Sequence, residues 1–173
     1  MGKSEEYPLK RQMDELIGKL EIRGIQLVAS SFGIAVPPEF LTPERIKLEL
    51  STEFSVDVNR AQNEDASEIM CFIGATVVGR VDKDDPLYEQ LQNKGSILNG
   101  ACSFVVRYNL REPRKVTDQL AIELAKTQGF FNAFPYVRNY VDSQFLQMGV
   151  SGIMLPLVKQ QPPEKSSKPS AQV

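Results

Sequence analysis

The sequence contains no histidine and only two cysteines. Without histidine the chain lacks the usual general base for a serine or cysteine nucleophile, the commonest zinc ligand and the side chain that titrates near neutral pH. Cys71 and Cys102 lie in apolar segments with a strand-like pattern and without C-x-x-C spacing, which favours buried free thiols in a reducing cytosol. The carboxylates Asp82, Asp84 and Asp85 lie in a predicted loop and are interpreted as solvated surface. We therefore expect neither an enzyme, nor a metal site, nor a cofactor.

Net charge is also nearly absent. The chain has 20 Lys+Arg and 22 Asp+Glu, a formal charge of -2, so no basic excess attracts nucleic acid or an anionic membrane surface. The stretch "MGKSEEYPLKRQMDELIGKL" is charged throughout and lacks the apolar region of a signal peptide. No window approaches the roughly 18 apolar residues of a membrane span. The sequence predicts a cytoplasmic protein without a nucleic-acid or membrane partner.

Four segments have the pattern of β-strands. The clearest is "IKLELSTEFSVDVN", in which every second residue from Ile46 to Val58 is apolar or threonine. That period is typical of a strand with one solvated face, which favours an antiparallel sheet. The other three are "GIQLVASSFGIAV", which ends at Pro37 because proline cannot donate to a sheet ladder, "EIMCFIGATVVGRV" and "ACSFVVRYNL".

Helical patterns flank the strands. At the N-terminus, apolar residues at helical spacing predict an amphipathic helix within residues 1–24: Leu9, Met13, Leu16, Ile17 and Leu20. After Pro113 the spacing of apolar residues again predicts a helix. We expect Gly129 to interrupt this helix and Gly149 to end it. Residues 159–173 have no periodicity and three prolines, which predicts a disordered tail. The order predicts an α+β fold, a four-stranded antiparallel sheet with a long C-terminal helical segment and an extra N-terminal helix.

One string then suggests a family. The segment "AFPYVRNYV", preceded by an aromatic-rich helix start and followed by a glycine and "MLPLV", resembles the "LFPYARE" segment and the "LNLAPVNF" ending of the SecB family of protein-export chaperones. The resemblance covers about residues 25–158. It implies a four-stranded antiparallel sheet with a long helix, edge strands that pair into a larger sheet, and a homotetramer built as a dimer of dimers. It also implies a holdase that binds unfolded polypeptides in apolar grooves without ATP and without catalysis.

The resemblance also implies two sets of functional residues. The client-binding groove would be lined by the strand-one to strand-two crossover and by aromatic or apolar residues near the C-terminus: Phe40, Leu41, Phe130, Phe131, Ile153, Met154, Leu155 and Leu157. The oligomer helix would contain Phe134, Pro135, Tyr136, Arg138, Tyr140 and Val141. Flexible Met and Leu side chains suit a surface that accepts many sequences. The alternative for each residue is ordinary packing in the core.

The chain departs from the family in places that affect its partners. The acidic positions through which the family docks its translocase motor fall on Ser31, Ala35 and Arg107, so a partner steered by negative potential is not expected there. The family's last helix cannot continue through Pro162 and Pro163. SecB-like proteins attached to toxin and antitoxin systems share the extra N-terminal helix, so protein export and a dedicated client such as an antitoxin both stay open.

A different class of function also fits the outline of a sheet followed by a long helix. Helix-grip proteins have that outline and enclose small apolar ligands between sheet and helix. They usually have a longer and more curved sheet, and the size of the assembly distinguishes them from a tetrameric chaperone.

Overall fold

The structure, a computed structural model, describes residues 6–61, 64–91, 95–150 and 152–155. The helices and strands follow one another along the chain in this order: α1 (Glu6–Ile17), β1 (Leu20–Ile34), a 3₁₀ turn (Pro38–Phe40), β2 (Lys47–Arg60), β3 (Ala66–Arg80), β4 (Ser96–Arg114), α2 (Asp118–Leu124), a π turn (Ala125–Gly129) and α3 (Phe130–Gln147). Leu157 and the predicted tail lie outside the described residues.

The four strands form one antiparallel sheet in the order β1-β4-β3-β2, so β1 and β2 are its edges. In the middle of the sheet Leu27 pairs with Phe104, Phe104 with Ile73, and Ile73 with Phe54. Directly paired residues share a face, and this row points toward the helices. Two register shifts in β1, one of them between Leu27 and Ala29, bend that edge strand.

The core lies between one face of the sheet and the helices α2 and α3. Alternate residues of the central strands are fully buried there, including Ile73 and Val106, and they share one cluster with Val137, Val141 and Phe145 of α3. Burial of each such large side chain contributes about 1.5–3 kcal/mol relative to leaving it exposed. The opposite face of the sheet carries no described helix or strand packed on it, so it is the open face of the subunit.

The sequence predicts the fold class correctly, and the starts of two strands differ from the expectation. Strand β1 begins at Leu20, which pairs with Leu110, although Leu20 continues the helical spacing of the preceding residues. Strand β4 begins at Ser96 and is longer than its alternating segment. Gly149 does end the last helix, with a φ of 77° that a residue with a side chain rarely adopts.

Gly129 does not interrupt the C-terminal helix. The chain passes from α2 to α3 through a π turn, a wider helical turn at which Gly129 is buried against β3. A Cβ built on Gly129 would lie 3.2 Å from the Cβ of Cys71. The glycine therefore allows close approach of helix and sheet where the sequence suggested a break.

Helix α1 covers one end of the subunit. Leu16 is fully buried, and Leu9 and Met13 pack against the core. Ion pairs join this region to the end of β4, Lys19 to Glu112 at 3.2 Å among them. Among the described residues, no helix is both long and apolar enough to cross a membrane.

Candidate functional site

The crossover between β1 and β2 is packed against the segment that follows α3. Two glycines with positive φ, Gly149 and Gly152, turn the chain back after the helix. A Cβ built at Gly149 would lie 3.4 Å from the Cβ of Pro38, and one at Gly152 would lie 3.1 Å from the Cγ of Pro43. Two segments far apart in sequence therefore form one surface.

This surface both buries and exposes apolar side chains. Phe40 is 39% exposed and Met154 is 62% exposed, which is unusual for side chains of this size. Leu41, Ile153 and Leu155 are buried in the core. The prediction that these three line an open groove is therefore corrected, because their side chains are covered by the rest of the subunit.

An ion pair anchors the crossover to the connection between β3 and β4. Arg45 donates two hydrogen bonds to the carboxylate of Asp85, at 2.9 and 2.8 Å, and the backbone N–H of Leu87 donates a third at 2.9 Å. The hydrogen bonds from Arg45 and from Leu87 lower the pKa of Asp85. Asp85 is thus a partnered, mostly covered carboxylate, and the interpretation of it as solvated surface is wrong.

Aromatic rings gather where α3 begins. Phe130 lies 5.3 Å from Phe134 and 5.9 Å from Phe54 of β2, measured between ring centroids. Phe130 is partly buried between them, whereas its neighbour Phe131 is 44% exposed. Contacts at these distances stabilise a rigid cluster. Of the two groove candidates at this position, Phe131 is the one that is accessible.

Helix α3 holds the predicted oligomer residues in three environments. Val141 is buried in the core, and Phe134 is buried beside Phe130 at the start of the helix. Tyr140 is partly buried, and its hydroxyl hydrogen-bonds to the hydroxyl of Ser30 in β1 at 2.7 Å. The side chains of Phe134 and Val141 are therefore covered within the subunit, and the role of their helix in an oligomer stays a prediction.

The remaining α3 candidates are accessible. Pro135 and Tyr136 are exposed, and Arg138 is partly exposed. Leu146, which the sequence analysis did not single out, is 68% exposed and lies on the same side of the helix as Pro135. The sequence could have identified Leu146, because it is an apolar residue that falls outside the helical spacing of the buried residues of the last helix.

The two edges of the sheet differ in charge. In β1 the residues from Gly24 to Ile34 carry no charge, and Val28 is 49% exposed. In β2, Glu49, Glu53 and Asp57 occur at every fourth position. They pair with Val78, Gly74 and Met70 of β3, which alternate along that strand with the buried residues that face the core. The three carboxylates therefore lie on the open face.

The buried ionisable groups stay protonated at neutral pH. Burial raises the pKa of Cys71 to about 12 and that of Cys102 to about 11. Burial also raises the pKa of Tyr108 to about 12, although Asn132 donates a hydrogen bond to its hydroxyl at 2.7 Å. Within the described ranges, no cluster of three or more His, Cys, Asp or Glu side chains has the arrangement of a metal site.

Buried apolar side chains pack together between the sheet and α3. Ile73 and Val106 from the sheet meet Val137 and Phe145 from α3 in one buried cluster. A helix-grip protein would need its ligand cavity in that position. The accessible apolar side chains are instead on the outside of the subunit.

No family model matches the chain, and no curated protein matches it either. Among solved structures, the chain is similar to the Mycobacterium tuberculosis SecB-like chaperone Rv1957 in complex with a ChAD peptide from the HigA1 antitoxin Rv1956. The two chains share 17% sequence identity with a TM-score of 0.68, and the match covers 88% of this chain and 99% of that one. The subunit therefore has a SecB-like fold, as the sequence resemblance implied.

Proposed function

We propose that this protein is an ATP-independent holdase that binds unfolded or non-native polypeptide segments. The observation that carries the proposal is the pair Phe40 and Met154, which are both exposed where the crossover meets the C-terminal segment. The SecB-like fold supports it, because a structure with that fold is a chaperone holding a peptide.

The chemistry of these side chains suits a client without a fixed sequence. An unfolded segment offers apolar side chains, and covering them contributes about 25 cal/mol for each Å² removed from water. Met154 has a flexible thioether side chain that adapts to differently shaped partners. Covering apolar surface in this way needs no nucleotide and no reacting group.

We propose a dedicated client, such as an antitoxin, ahead of general protein export. The similar structure contains a peptide from an antitoxin, which supports this order. Ser31 and Arg107 lie on the open face of the sheet, at positions where the resemblance implies acidic residues for a translocase motor. A motor that is attracted by negative potential would meet a neutral residue and a cation there. The place of action would be the cytosol.

We propose a homotetramer built as a dimer of dimers. The edge of β1 is long and carries no charge from Gly24 to Ile34, and such an edge is normally covered, since exposed strand edges pair with other chains. Pairing of two β1 edges would give the dimer. The exposed apolar side chains of α3, including Pro135 and Leu146, would then join two dimers.

The proposal is tested with the purified full chain and a chemically denatured client that aggregates on dilution. We expect suppression of light scattering at about one tetramer per client in the absence of nucleotide, and no change when ATP is added. Unaltered aggregation at that ratio would contradict the holdase function. Mass spectrometry of polypeptides that co-purify from the native host distinguishes one recurring small partner from a range of export precursors.

A further inference from the structure

The outer face of α3 is unusual for a solvated helix. We define it as Phe131, Pro135, Arg138, Asn139, Asp142 and Leu146, which lie on one side of α3 at spacings of three and four residues. Within Phe130–Gln147, Arg138 and Asp142 are the only charged residues. By contrast, the shorter α1 carries charges at several positions. A helix face with so little charge and exposed Phe131 and Leu146 is typical of a contact surface.

The two charges do not satisfy one another within the helix. Nε of Arg138 lies 3.9 Å from Oδ2 of Asp142, which is beyond hydrogen-bonding distance. The order is also the weaker one for an intrahelical pair, because an acid is better placed N-terminal to the base. Oδ1 of Asp142 is shielded from solvent and has no hydrogen-bond partner among the residues that the structure describes. A shielded carboxylate oxygen without a donor is the mark of an incomplete contact.

The spacing of the outer face makes it complementary to itself. Arg138 and Asp142 are about one helical turn apart, so a two-fold axis that crosses the outer face midway between them would place each Arg138 against Asp142 of a second copy. Pro135 and Leu146 are nearly equidistant in sequence from the same point, and the same axis would bring them together. A partner with a strong charge of either sign would instead meet one repulsive group.

We infer that two copies of α3 pack across a two-fold axis, with Arg138 of each copy bonded to Asp142 of the other. The inference rests on the proposed tetramer and goes beyond it by naming the pair that sets the alignment of the two helices. Arg138 supplies several donors in a planar fork, which suits a carboxylate that has one unpaired oxygen. Reciprocal pairing uses both charges of α3 and leaves neither unmatched.

Charge reversal tests the pairing. Asp142→Arg and Arg138→Asp, each alone, bring like charges together at two places in the interface. We expect each to raise the dissociation constant of the helix contact on the order of 100-fold, and to halve the mass measured by light scattering after size exclusion. The double variant, Arg138→Asp with Asp142→Arg, restores opposite charges and should recover the parent mass.

A matched control lies on α1, where Arg11 and Glu15 form another exposed pair with the base N-terminal to the acid, at 3.1 Å. Arg11→Glu should leave the mass unchanged. Circular dichroism confirms that each variant is folded. If one of the two single variants does not fold, the double variant still tests the pairing. Parent mass in all three α3 variants, a low mass that the double variant does not recover, or a monomeric wild-type protein would overturn the inference. Aggregation suppression by the wild-type protein is measured separately, so a failed pairing does not count against the holdase function.

Discussion

Replacing Phe40 and Met154 with serine removes the two exposed apolar side chains at the junction of the crossover and the C-terminal segment. With a full side-chain area of about 200 Å² for residues of this size, exposures of 39% and 62% leave about 80 and about 120 Å² accessible. Complete coverage of that area by a client would contribute about 5 kcal/mol. Because a bound chain covers such a surface only in part, we take half of this value, about 2.5 kcal/mol.

We therefore expect the double variant to bind an unfolded client about 60-fold more weakly than the wild-type protein. The smaller exposed area of Phe40 predicts about a 5-fold loss for Phe40→Ser alone, and Met154→Ser alone should lose about 10-fold. The dissociation constants are measured by fluorescence anisotropy with a labelled, reduced and unfolded client peptide at fixed salt. Light scattering confirms that the assembly keeps its mass.

Ile17 on α1 provides the matched control, since it is 37% exposed and lies outside the proposed surface. Ile17→Ser should bind the client as tightly as the wild-type protein. An unchanged dissociation constant for the double variant, with the assembly intact, would refute the assignment of this surface. An equal loss in Ile17→Ser would show that binding follows exposed apolar area anywhere on the subunit.

Three further predictions concern the edge, the crossover and the thiols. Val28→Lys places a charge on the uncharged β1 edge, so we expect sedimentation velocity to show half the wild-type mass, whereas a full-size assembly would exclude β1 from the contact. Asp85→Asn removes a carboxylate whose pKa is lowered mainly by its hydrogen bonds with Arg45. The ionised carboxylate stabilises the folded protein above the unfolded pKa of about 3.9, and this contribution is lost as pH falls through the lower folded pKa. The difference in unfolding free energy between wild type and variant should therefore be largest near neutral pH and shrink toward about pH 3, as measured by urea titration; a constant difference would contradict the ion pair's role. Cys71 and Cys102, with pKa values of about 12 and 11, should react with a thiol reagent at pH 8 only as fast as the protein unfolds.

The sheet is predictable from the sequence because its signal is local. In β2 the alternation from Leu48 to Val58 records which side chains face the core and which face water, and no distant residue is needed to interpret it. The positive φ of Gly149 is a similar case, since only the chain around it has to turn. Both features follow from the period of the pattern and the chemistry of one residue.

The predictions of secondary structure are wrong where contact with a segment distant in sequence determines the local conformation. Gly129 has the sequence character of a break, yet its missing side chain admits Cys71 of β3, and the helix continues. Leu20 fits a helical face, and pairing with Leu110 draws it into β1 instead. Local spacing contains no information on either partner.

The candidate site is predicted less well for the same reason. Leu41, Ile153 and Leu155 have the composition of a sticky surface, and they are buried because two segments distant in sequence fold onto each other. Phe40 and Met154 are neighbours of these residues in sequence and face the other way. Composition identifies the two segments, whereas contact between them decides which side chains stay accessible.

The difference in charge between the two sheet edges bears on how the proposed assembly closes. Pairing β1 of one copy with β2 of the next would repeat without limit and build a filament, whereas pairing β1 with β1 uses a two-fold axis and stops at two copies. Two β2 edges would bring the acidic row that contains Glu53 and Asp57 against its own copy, and like charges opposite one another disfavour that pairing. The β1 edges, which carry no charge from Gly24 to Ile34, meet no such penalty over that stretch. A second two-fold axis through α3 would then join two dimers into a closed tetramer and leave the charged edges in solvent, where they resist further growth of the sheet.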